Sequence, residues 1–553
     1  MKRFLIPNIL ICALSLTACK KDFLDRQPLD AYSNSSLWHN ASDATLALNG
    51  VYSGTSSADT KGNQTNSNNW TDNAPGWADG FLVNYMDCAS DNAYSQFVWE
   101  GFQDYGNGLV TPNDGNADNL WASNYITVQK ANFFLENIGP TPMDSTLKNQ
   151  MIAQVRVIRA YQYFMLSQLY GGVPLVTTSV TTQQANVLTR TSKDSITQFV
   201  LSELAAAAPN LALTYAGTAD QGHITQGAAY ALKMRVELYN KNYASCITDA
   251  QKIMQSGQYS LYPSYSDLFR IANEGNSEDI LDVQYKENDH SNGTLGVMLP
   301  ASLGGWSSID PLQALVDNYE MNNGKTIDDP TSGYDPNNPY TNRDPRLNAT
   351  ILVPGASYSG IIYDPLDPSS PDYYTNNNSS RTGYEVKKFT SNLSDFDNIW
   401  NTGLDMMLIR YAEVLLSYAE AKIELGQTDA SVYAAIDQVR MRAGLPKTDQ
   451  SVYNSQATLR TLVRRERRSE FAMEGLRWFD VQRWQIGPQV MAGQVYGARQ
   501  GSVNSSNGQL SLTGSNIPVE TRLFDPGKNY LWPVPQSERN IDKNLTQNPG
   551  YSQ

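Results

Sequence analysis

A charged and aromatic stretch at residues 464–484 constrains the fold of this chain more than any other segment. It reads RRERRSEFAMEGLRWFDVQRW, in which arginines alternate with acidic residues. Glu466, Glu470 and Glu474 recur every four residues and would therefore share one face of a helix. The aromatic side chains also fall close to a helical repeat, at Phe471, Trp478 and Phe479. The pattern predicts a central helix whose arginine and glutamate side chains cross-link neighbouring helices, with its tryptophans in the core.

The composition narrows the class of ligand. The 553 residues carry a formal charge of −14, which argues against nucleic acid and anionic lipid headgroups as the main partner. A nucleic-acid surface at 464–484 is disfavoured as well, since acidic residues alternate with the arginines there. Charged residues make up only 17%, while tyrosine occurs 32 times and tryptophan 10 times. Such a surface offers neutral hydrogen-bonding groups, which suit neutral polar ligands.

The first 18 residues are predicted to be a lipoprotein signal peptide rather than part of the fold. Two basic residues precede an apolar segment at 4–16, which is too short to span a bilayer because that needs about 20 residues. Leu16, Thr17, Ala18 and Cys19 resemble a bacterial lipobox, with cleavage before Cys19 and acylation of that cysteine. The alternative is an ordinary secretory signal with an incidental cysteine. More than one acyl chain would give stable anchoring to a membrane.

Helical periodicity dominates much of the remaining chain and predicts a mostly α fold. Residues 225–258 predict two helices joined by a short turn, with the length of a tetratricopeptide (TPR) repeat, and residues 406–444 repeat this arrangement. Helix pairs of this kind bury their apolar faces only by stacking, so we expect one TPR-like scaffold. Further candidate helices lie at 42–52, 120–138, 146–170 and 195–208.

The segments between the helix pairs are predicted to be irregular. Residues 259–404 are rich in Asn, Gly, Pro and Asp, with a strand candidate at 280–286. Residues 485–526 read as a second loop-rich stretch. The expected fold is therefore a TPR-like helix-pair scaffold with a loop-rich, irregular portion that carries short strands.

The stretch at 464–484 resembles the C-terminal signature of the SusD/RagB family of outer-membrane lipoproteins of Bacteroidetes. Together with the lipobox, the resemblance covers nearly the whole chain. Three further segments are similar to the family: RYAEVLLSYAEA at 410–421, NRDPRL at 342–347 and the ending YLWPVPQSERNIDKNLTQNPGY at 530–551.

The resemblance implies a location, a partner and a function. Such proteins are anchored by lipid on the outer face of the outer membrane. They close over a TonB-dependent, SusC-like barrel transporter and deliver oligosaccharides into it. RagB-like relatives bind peptides instead, and this stays open as the alternative. By the same resemblance the chain divides into an N-terminal region at 19–260 and a C-terminal region at 261–553, packed as one unit.

No catalytic motif supports an enzyme. The sequence lacks a G-x-S-x-G elbow, a phosphate-binding P-loop and an H-E-x-x-H helix. A secreted glycoside hydrolase is the less favoured alternative. Such an enzyme needs two carboxyl groups, but some pair among 55 acidic residues always qualifies, so their presence is no evidence for it. No cofactor or metal is expected: residues 114–125 depart from a calcium loop, and a looser calcium site within 328–335 has no supporting motif. Whether Cys88 and Cys246 pair stays open.

Aromatic residues in loops are the candidate binding residues. A neutral glycan presents apolar C–H faces to flat rings, and hydroxyl groups to amide and carboxyl side chains. Trp70, Trp77 and Trp306 lie in segments rich in small polar residues, and the resemblance places a ligand-stacking aromatic residue near Trp306. For each of them, burial in the core is the competing interpretation. Weaker candidates complete the set: Trp400 as a further ring, with Asn73 and Asp79 as polar partners.

Overall fold

The computed structural model describes residues 38–54, 80–289, 291–390 and 393–552. Within these ranges the chain is mainly helical, with short strands in its middle portion and a long hairpin near the C-terminal end. The mostly α fold expected from the sequence is confirmed. No helix in the described ranges has the length and apolar character needed to cross a membrane.

The helices of the N-terminal half lie close to their predicted positions and begin at polar capping residues. Asp114, Asp144 and Ser192 each accept hydrogen bonds from backbone N–H groups of the turn that follows. The helix predicted to begin at residue 120 begins at 115, because Asp114 caps it there. These helices are α1 (Ala41–Tyr52), α2 (Gly80–Tyr85), α3 (Phe102–Asn107), α4 (Gly115–Asn137), α5 (Ser145–Tyr170), α6 (Thr182–Ala185), α7 (Lys193–Ala207), α8 (Gln226–Tyr239) and α9 (Tyr243–Ser256).

The C-terminal half supplies a second helix pair that packs against the first. Its helices are α10 (Thr294–Met298), α11 (Gln313–Asn318), α12 (Pro345–Thr350), α13 (Tyr411–Glu424), α14 (Ala430–Arg442), α15 (Gln456–Glu470), α16 (Arg477–Trp484), α17 (Gly487–Val490) and α18 (Gln536–Ile541). α8 packs against α9, and α13 packs against both α14 and α9. The buried pair Arg235–Glu413 links α8 to α13, with 2.5 Å between nitrogen and oxygen. Early and late helices therefore meet directly in the core.

The strands of the described residues form five antiparallel pairs. They are β1 (Ala93–Ser95), β2 (Asp279–Val283), β3 (Ile309–Pro311), β4 (Ile351–Leu352), β5 (Ser357–Tyr358), β6 (Ile361–Ile362), β7 (Glu385–Val386), β8 (Met406–Arg410), β9 (Gly493–Val503) and β10 (Leu510–Arg522). β1 pairs with β3, β2 with β8, β4 with β7, β5 with β6, and β9 with β10. The strand predicted at 280–286 is confirmed as β2, although it begins and ends earlier.

Two sequence-based predictions are wrong in this part of the chain. The sequence predicts a helix from residue 406 onward, but residues 406–410 form β8, because their side chains are all buried and their backbone pairs with β2. The sequence also predicts a loop over 485–526, but most of this segment forms the hairpin β9–β10. Its strands are partly exposed along much of their length, so the apolar alternation that identifies a strand is weak.

The stretch at 464–484 belongs to two helices rather than one. α15 ends at Glu470 and α16 begins at Arg477, with a turn between them in which Gly475 has a φ of +74°. A Cβ atom at Gly475 would also lie 2.5 Å from the carbonyl oxygen of Val83, so the turn requires glycine. Glu474 therefore lies in the turn and not on the helical face that the sequence predicts for it.

The predicted cross-linking by charged side chains is confirmed in an ionic cluster built on Glu466, Glu470 and Glu474, which are all buried. Glu470 contacts Arg346 of α12 at 2.8 Å and Arg410 of β8 at 2.6 Å, and it also pairs with Arg442 of α14. The cluster thus joins four separate elements through one carboxylate. The other two glutamates are satisfied in the same way, by the pairs Glu466–Arg346, Glu466–Arg440, Glu474–Arg410 and Glu474–Lys388.

Candidate functional site

The pairing of β1 with β3 brings together two aromatic segments that are far apart in the sequence. Beyond the paired residues, the N–H of Gln96 donates to the carbonyl oxygen of Ser308 at 3.1 Å. Because the strands are antiparallel, the chain leaving β1 and the chain entering β3 lie at the same end of the pair. Phe97 and Trp99 follow β1, and Trp306 precedes β3. The strand pairing therefore positions these rings beside each other.

Four rings form a cluster that we call the aromatic platform: Phe97, Trp99, Trp306 and Trp400. The ring centroids are 6.0 Å apart for Trp99 and Trp306, 5.2 Å for Trp306 and Trp400, and 5.6 Å for Phe97 and Trp99. The tryptophan pairs meet edge to face, which is a favourable arrangement. Trp99 is 60% exposed and its neighbour Val98 is 71% exposed, whereas the other three rings are partly buried. Contiguous exposed apolar side chains of this kind mark a contact surface.

Trp400 reaches the platform because α10 leaves room for it. The N–H of Gly296 donates to the carbonyl oxygen of Ile399 at 3.1 Å, and its own carbonyl oxygen accepts from the N–H of Trp306 at 2.9 Å. A Cβ atom at Gly296 would lie 2.0 Å from a ring carbon of Trp400. Glycine at this position lets α10 lie against both tryptophan segments.

Gly296→Ala is expected to displace Trp400, because the methyl group and the ring cannot occupy the same space. Overpacking of this kind costs about 1–3 kcal/mol of unfolding free energy. Chemical denaturation measures this loss, and Gly115→Ala is the matched control because a Cβ atom there meets nothing within 4 Å. Equal stabilities of the two variants would show that the position of Trp400 does not depend on the space left by Gly296.

Amide side chains border the platform beside Trp400. The Oδ1 atom of Asn398 accepts from the N–H of Trp400 at 3.0 Å. The side chains of Asn401 and Asn288 share a hydrogen bond of 2.6 Å, and Asn288 and Asn398 are exposed. An amide can donate and accept at the same time, which matches the hydroxyl groups of an uncharged ligand.

The charged stretch that dominates the sequence holds β1 in place. Asp91, two residues before β1, is buried and contacts Arg468 at 2.9 Å and Arg477 at 2.7 Å. Burial opposes ionisation of Asp91, but the two arginines outweigh it and lower its pKa to about 2. Arg468 also donates to the side chain of Asn92 at 2.8 Å. α15 and α16 thus fix the strand that leads to Trp99.

A buried carboxyl group follows the exposed Trp99 in the chain. Glu100 follows this residue directly and is only 3% exposed. Burial raises the pKa of Glu100 to about 8, and the facing hydroxyl groups of Ser308, Tyr85 and Ser95 oppose this rise only in part. The carboxyl group therefore keeps its proton at neutral pH.

The structure brings together two of the binding candidates that the sequence predicts. Trp306 and Trp400 are neighbours in the aromatic platform, and neither is sealed in the core. Their role in binding stays a prediction. The other predicted positions lie outside the described residues: Trp70, Asn73, Trp77, Asp79 and the lipid-attachment residue Cys19.

Sequence reasoning missed Phe97 and Trp99. The run Phe97–Val98–Trp99 places three large apolar side chains in succession directly after a short strand. In the structure residues 98–100 form a short 3-10 helix, and the adjacent side chains of Val98 and Trp99 are both exposed. No local pattern in the sequence distinguishes this apolar run from a core segment.

Metal binding finds no support in the described residues. No group of three or more His, Cys, Asp or Glu side chains among them could hold a metal ion. Asp329 and Asp335 instead accept hydrogen bonds from the backbone N–H groups of Thr331 and Asn337. Cys88 and Cys246 are both buried free thiols, so they do not pair with each other.

Comparison with known sequences identifies the family. The model of the SusD family matches residues 240–551, and a model described as "starch-binding associating with outer membrane" matches residues 22–238. SusD-like protein P25 of Formosa agariphila is 24% identical over 503 residues, which cover 87% of this chain and 90% of that protein. A SusD-like protein of Bacteroides ovatus is also 24% identical, covering 88% of this chain and 83% of its own length.

Solved structures agree with this assignment. A SusD-like carbohydrate binding protein of Bacteroides fragilis is 32% identical, with a TM-score of 0.78, and the match covers 92% of this chain and 99% of that protein. A second SusD-like protein of B. fragilis is 28% identical, again with a TM-score of 0.78, over 95% of this chain and all of the other. A laminarin binding SusD-like protein, at 23% identity, has a TM-score of 0.68 over 93% of this chain and all of its own, and shares the fold. Since the SusD family model spans more than half of its residues, this chain belongs to the SusD family.

Proposed function

We propose that this chain binds neutral oligosaccharides on the aromatic platform at the cell surface and passes them to a TonB-dependent, SusC-like transporter. The observation that carries the proposal is the exposed ring of Trp99, whose centroid lies 6.0 Å from that of Trp306. A tryptophan ring left in water and supported by three further rings offers a flat apolar surface. The C–H faces of sugar rings are complementary to such a surface.

The family supports a carbohydrate ligand. One of the two matching family models is described as starch-binding, and one of the related structures in B. fragilis as carbohydrate binding. The composition agrees, because a chain with a charge of −14 repels anionic ligands while its many neutral polar residues suit sugars. The sequence adds two parts to the proposal. One is lipid anchoring through Cys19, and the other is a set of further contacts with the ligand, from Trp70, Trp77, Asn73 and Asp79.

The proposed function involves no covalent chemistry. A glycosidase places two carboxyl groups on either side of the bond that it cleaves. Glu100, the residue after Trp99, has a buried carboxyl group. Its burial keeps it from a sugar on the exposed face of Trp99, so this carboxyl group is not available there as a catalytic acid.

Affinity electrophoresis through gels that contain different neutral polysaccharides tests the ligand class. The chain is expected to be retarded by at least one of them, and no reducing sugar is expected to appear. Retardation by none of the polysaccharides, together with binding of peptides, would favour the RagB-like alternative. Release of reducing sugar would favour a glycoside hydrolase.

Anchoring and transfer require a separate experiment in cells. With Cys19 intact, the tagged chain is expected in the outer-membrane fraction, where detergent extraction should co-purify a barrel protein of the TonB-dependent class. Cys19→Ala removes the acylated sulfur and is expected to move the chain out of the membrane fraction, because a stable anchor needs the acyl chains. An unchanged distribution of the Cys19→Ala variant would contradict anchoring at this residue.

A further inference from the structure

Glu100 lies at the joint between the two segments that carry Trp99 and Trp306. On one side it ends the short 3-10 helix that contains Trp99. On the other side it faces Ser308, which is fully buried two residues after Trp306. The two segments are also tied by the amide of Gln96, whose N–H bonds Ser308 at 3.1 Å. The buried carboxyl group therefore lies at the contact between the two segments that carry the rings.

The backbone of Glu100 is tied to α4. Its carbonyl oxygen accepts from the side-chain amide of Asn116 in α4 at 2.6 Å. The following Gly101 has a φ of +81°, and a Cβ atom there would lie 2.5 Å from the same amide. Among the described residues, neither carboxyl oxygen of Glu100 has a well-formed hydrogen bond. A neutral carboxyl group tolerates such surroundings far better than a carboxylate does.

We propose that Glu100 is a positioning residue, whose uncharged carboxyl group lets the segments of Trp99 and Trp306 stay packed together, and that loss of its proton to solvent at alkaline pH separates them and weakens glycan binding. The inference rests on the proposed function, because it concerns the affinity of the same platform. Glu100 does not touch the sugar. It affects glycan affinity through the positions of the Trp99 and Trp306 rings.

The groups around Glu100 offer its carboxylate little compensation. Tyr85 faces it from the end of α2, Cys88 from the turn that follows and Asp310 from β3, and burial raises the pKa of all three. Arg522 of β10 acts on Cys88, but no cation is among the groups that set the pKa of Glu100. An ionised Glu100 would therefore be a buried negative charge beside other acids, which is relieved only if the segments open and admit water.

The sign of the pH dependence follows from the raised pKa. Below pH 4.5, its ordinary value, Glu100 is neutral in both the folded and the unfolded chain. Between pH 4.5 and about 8 only the unfolded chain loses this proton, so the contribution of Glu100 to stability declines across that window. Above about pH 8 the folded chain ionises as well. The separation of the segments is therefore expected to begin near pH 8.

Fluorine NMR of the chain labelled with 5-fluorotryptophan tests the positioning role without any ligand. Trp99→Phe and Trp306→Phe assign the two resonances, which are expected to shift together between pH 6 and 10 with a midpoint near 8. Glu100→Gln keeps the shape and the neutral state, and is expected to abolish this shift. Resonances that stay constant while circular dichroism shows a folded chain would overturn the proposal.

Glycan affinity measured over the same pH range completes the test. Coupling to one proton lowers affinity by at most tenfold per pH unit, so wild type is expected to bind about tenfold more weakly at pH 9 than at pH 7. Glu100→Gln should bind equally at both, while the exposed control Glu136→Gln should follow wild type. If Glu100→Gln loses as much affinity between pH 7 and pH 9 as wild type, Glu100 does not cause the pH dependence of glycan binding. If no glycan is retained at any pH, the proposed function fails, and the fluorine titration still decides whether Glu100 positions the rings.

Discussion

Replacing Glu470 by alanine is expected to lower the free energy of unfolding by about 3–5 kcal/mol, because it leaves buried arginine charges without a partner. Glu470 is completely buried and pairs with Arg346, Arg410 and Arg442, which come from three different elements. Urea denaturation followed by circular dichroism measures the loss. A loss of this size exceeds that of most single substitutions and is a large fraction of the roughly 5–15 kcal/mol by which native proteins are usually stable.

Glu424→Ala is the matched control for this prediction. Glu424 also pairs with an arginine of α15, at 2.7 Å from Arg460, but the Arg460 side chain is 32% exposed. An ion pair open to solvent contributes at most about 1 kcal/mol. If Glu470→Ala costs no more than Glu424→Ala, the ionic cluster does not hold the scaffold together.

The lowered pKa of Glu470 also determines how the free energy of unfolding should depend on pH. Burial opposes ionisation of Glu470, but the charges of Arg442, Arg410 and Arg346 outweigh it and hold its pKa well below the ordinary value of 4.5. A depressed pKa contributes stability above pH 4.5 that is lost as the pH falls below that value. Glu470→Gln is therefore expected to show a weaker dependence of unfolding free energy on pH below 4.5 than wild type. The dependence is opposite in sign to that expected from Glu100.

Replacing Trp99 by alanine is expected to weaken glycan binding by about 30-fold, which corresponds to about 2 kcal/mol. The ring is the most exposed member of the aromatic platform and would supply the largest flat surface to a sugar. Its exposure also means that the fold depends little on it, so the free energy of unfolding should change by no more than about 1 kcal/mol. Isothermal titration calorimetry with the retained polysaccharide measures the affinity.

Val187→Ala serves as the control for exposed apolar surface, since Val187 is 62% exposed and lies outside the platform. It is expected to bind glycan as wild type does. Trp306→Ala should also lose affinity, with a larger loss of stability because this ring is partly buried against Trp99 and Trp400. Normal affinity in both tryptophan variants would place the binding surface elsewhere on the chain.

The helix pairs could be predicted from the sequence because residues close together in the chain specify them. Apolar periodicity located both helix pairs, and Gly257 ends α9 in the left-handed conformation that glycine commonly adopts at a helix C-terminus. The charges of 464–484 predicted a buried cross-link, and Glu470 forms one with three arginines. The break between α15 and α16 escaped prediction because Gly475 is required by the approach of Val83, which is distant in sequence.

The site could be predicted only in part because it depends on a long-range pairing. Trp306 and Trp400 stand out as single tryptophans in polar loops, whereas Trp99 is hidden in an apolar run that resembles core. Only the pairing of β1 with β3 shows that Trp99 and Trp306 meet, and no local pattern encodes that register. The role of Glu100 is likewise visible only when Ser95 and Ser308 are seen to enclose it.

A crystal structure of the chain with the most strongly retained oligosaccharide decides whether the aromatic platform binds glycan. We expect a sugar ring to lie flat against Trp99, within van der Waals contact of Trp306 or Trp400, and with its hydroxyl groups toward the amides of Asn398 and Asn401. An oligosaccharide bound at a surface that includes none of the platform rings would contradict this expectation.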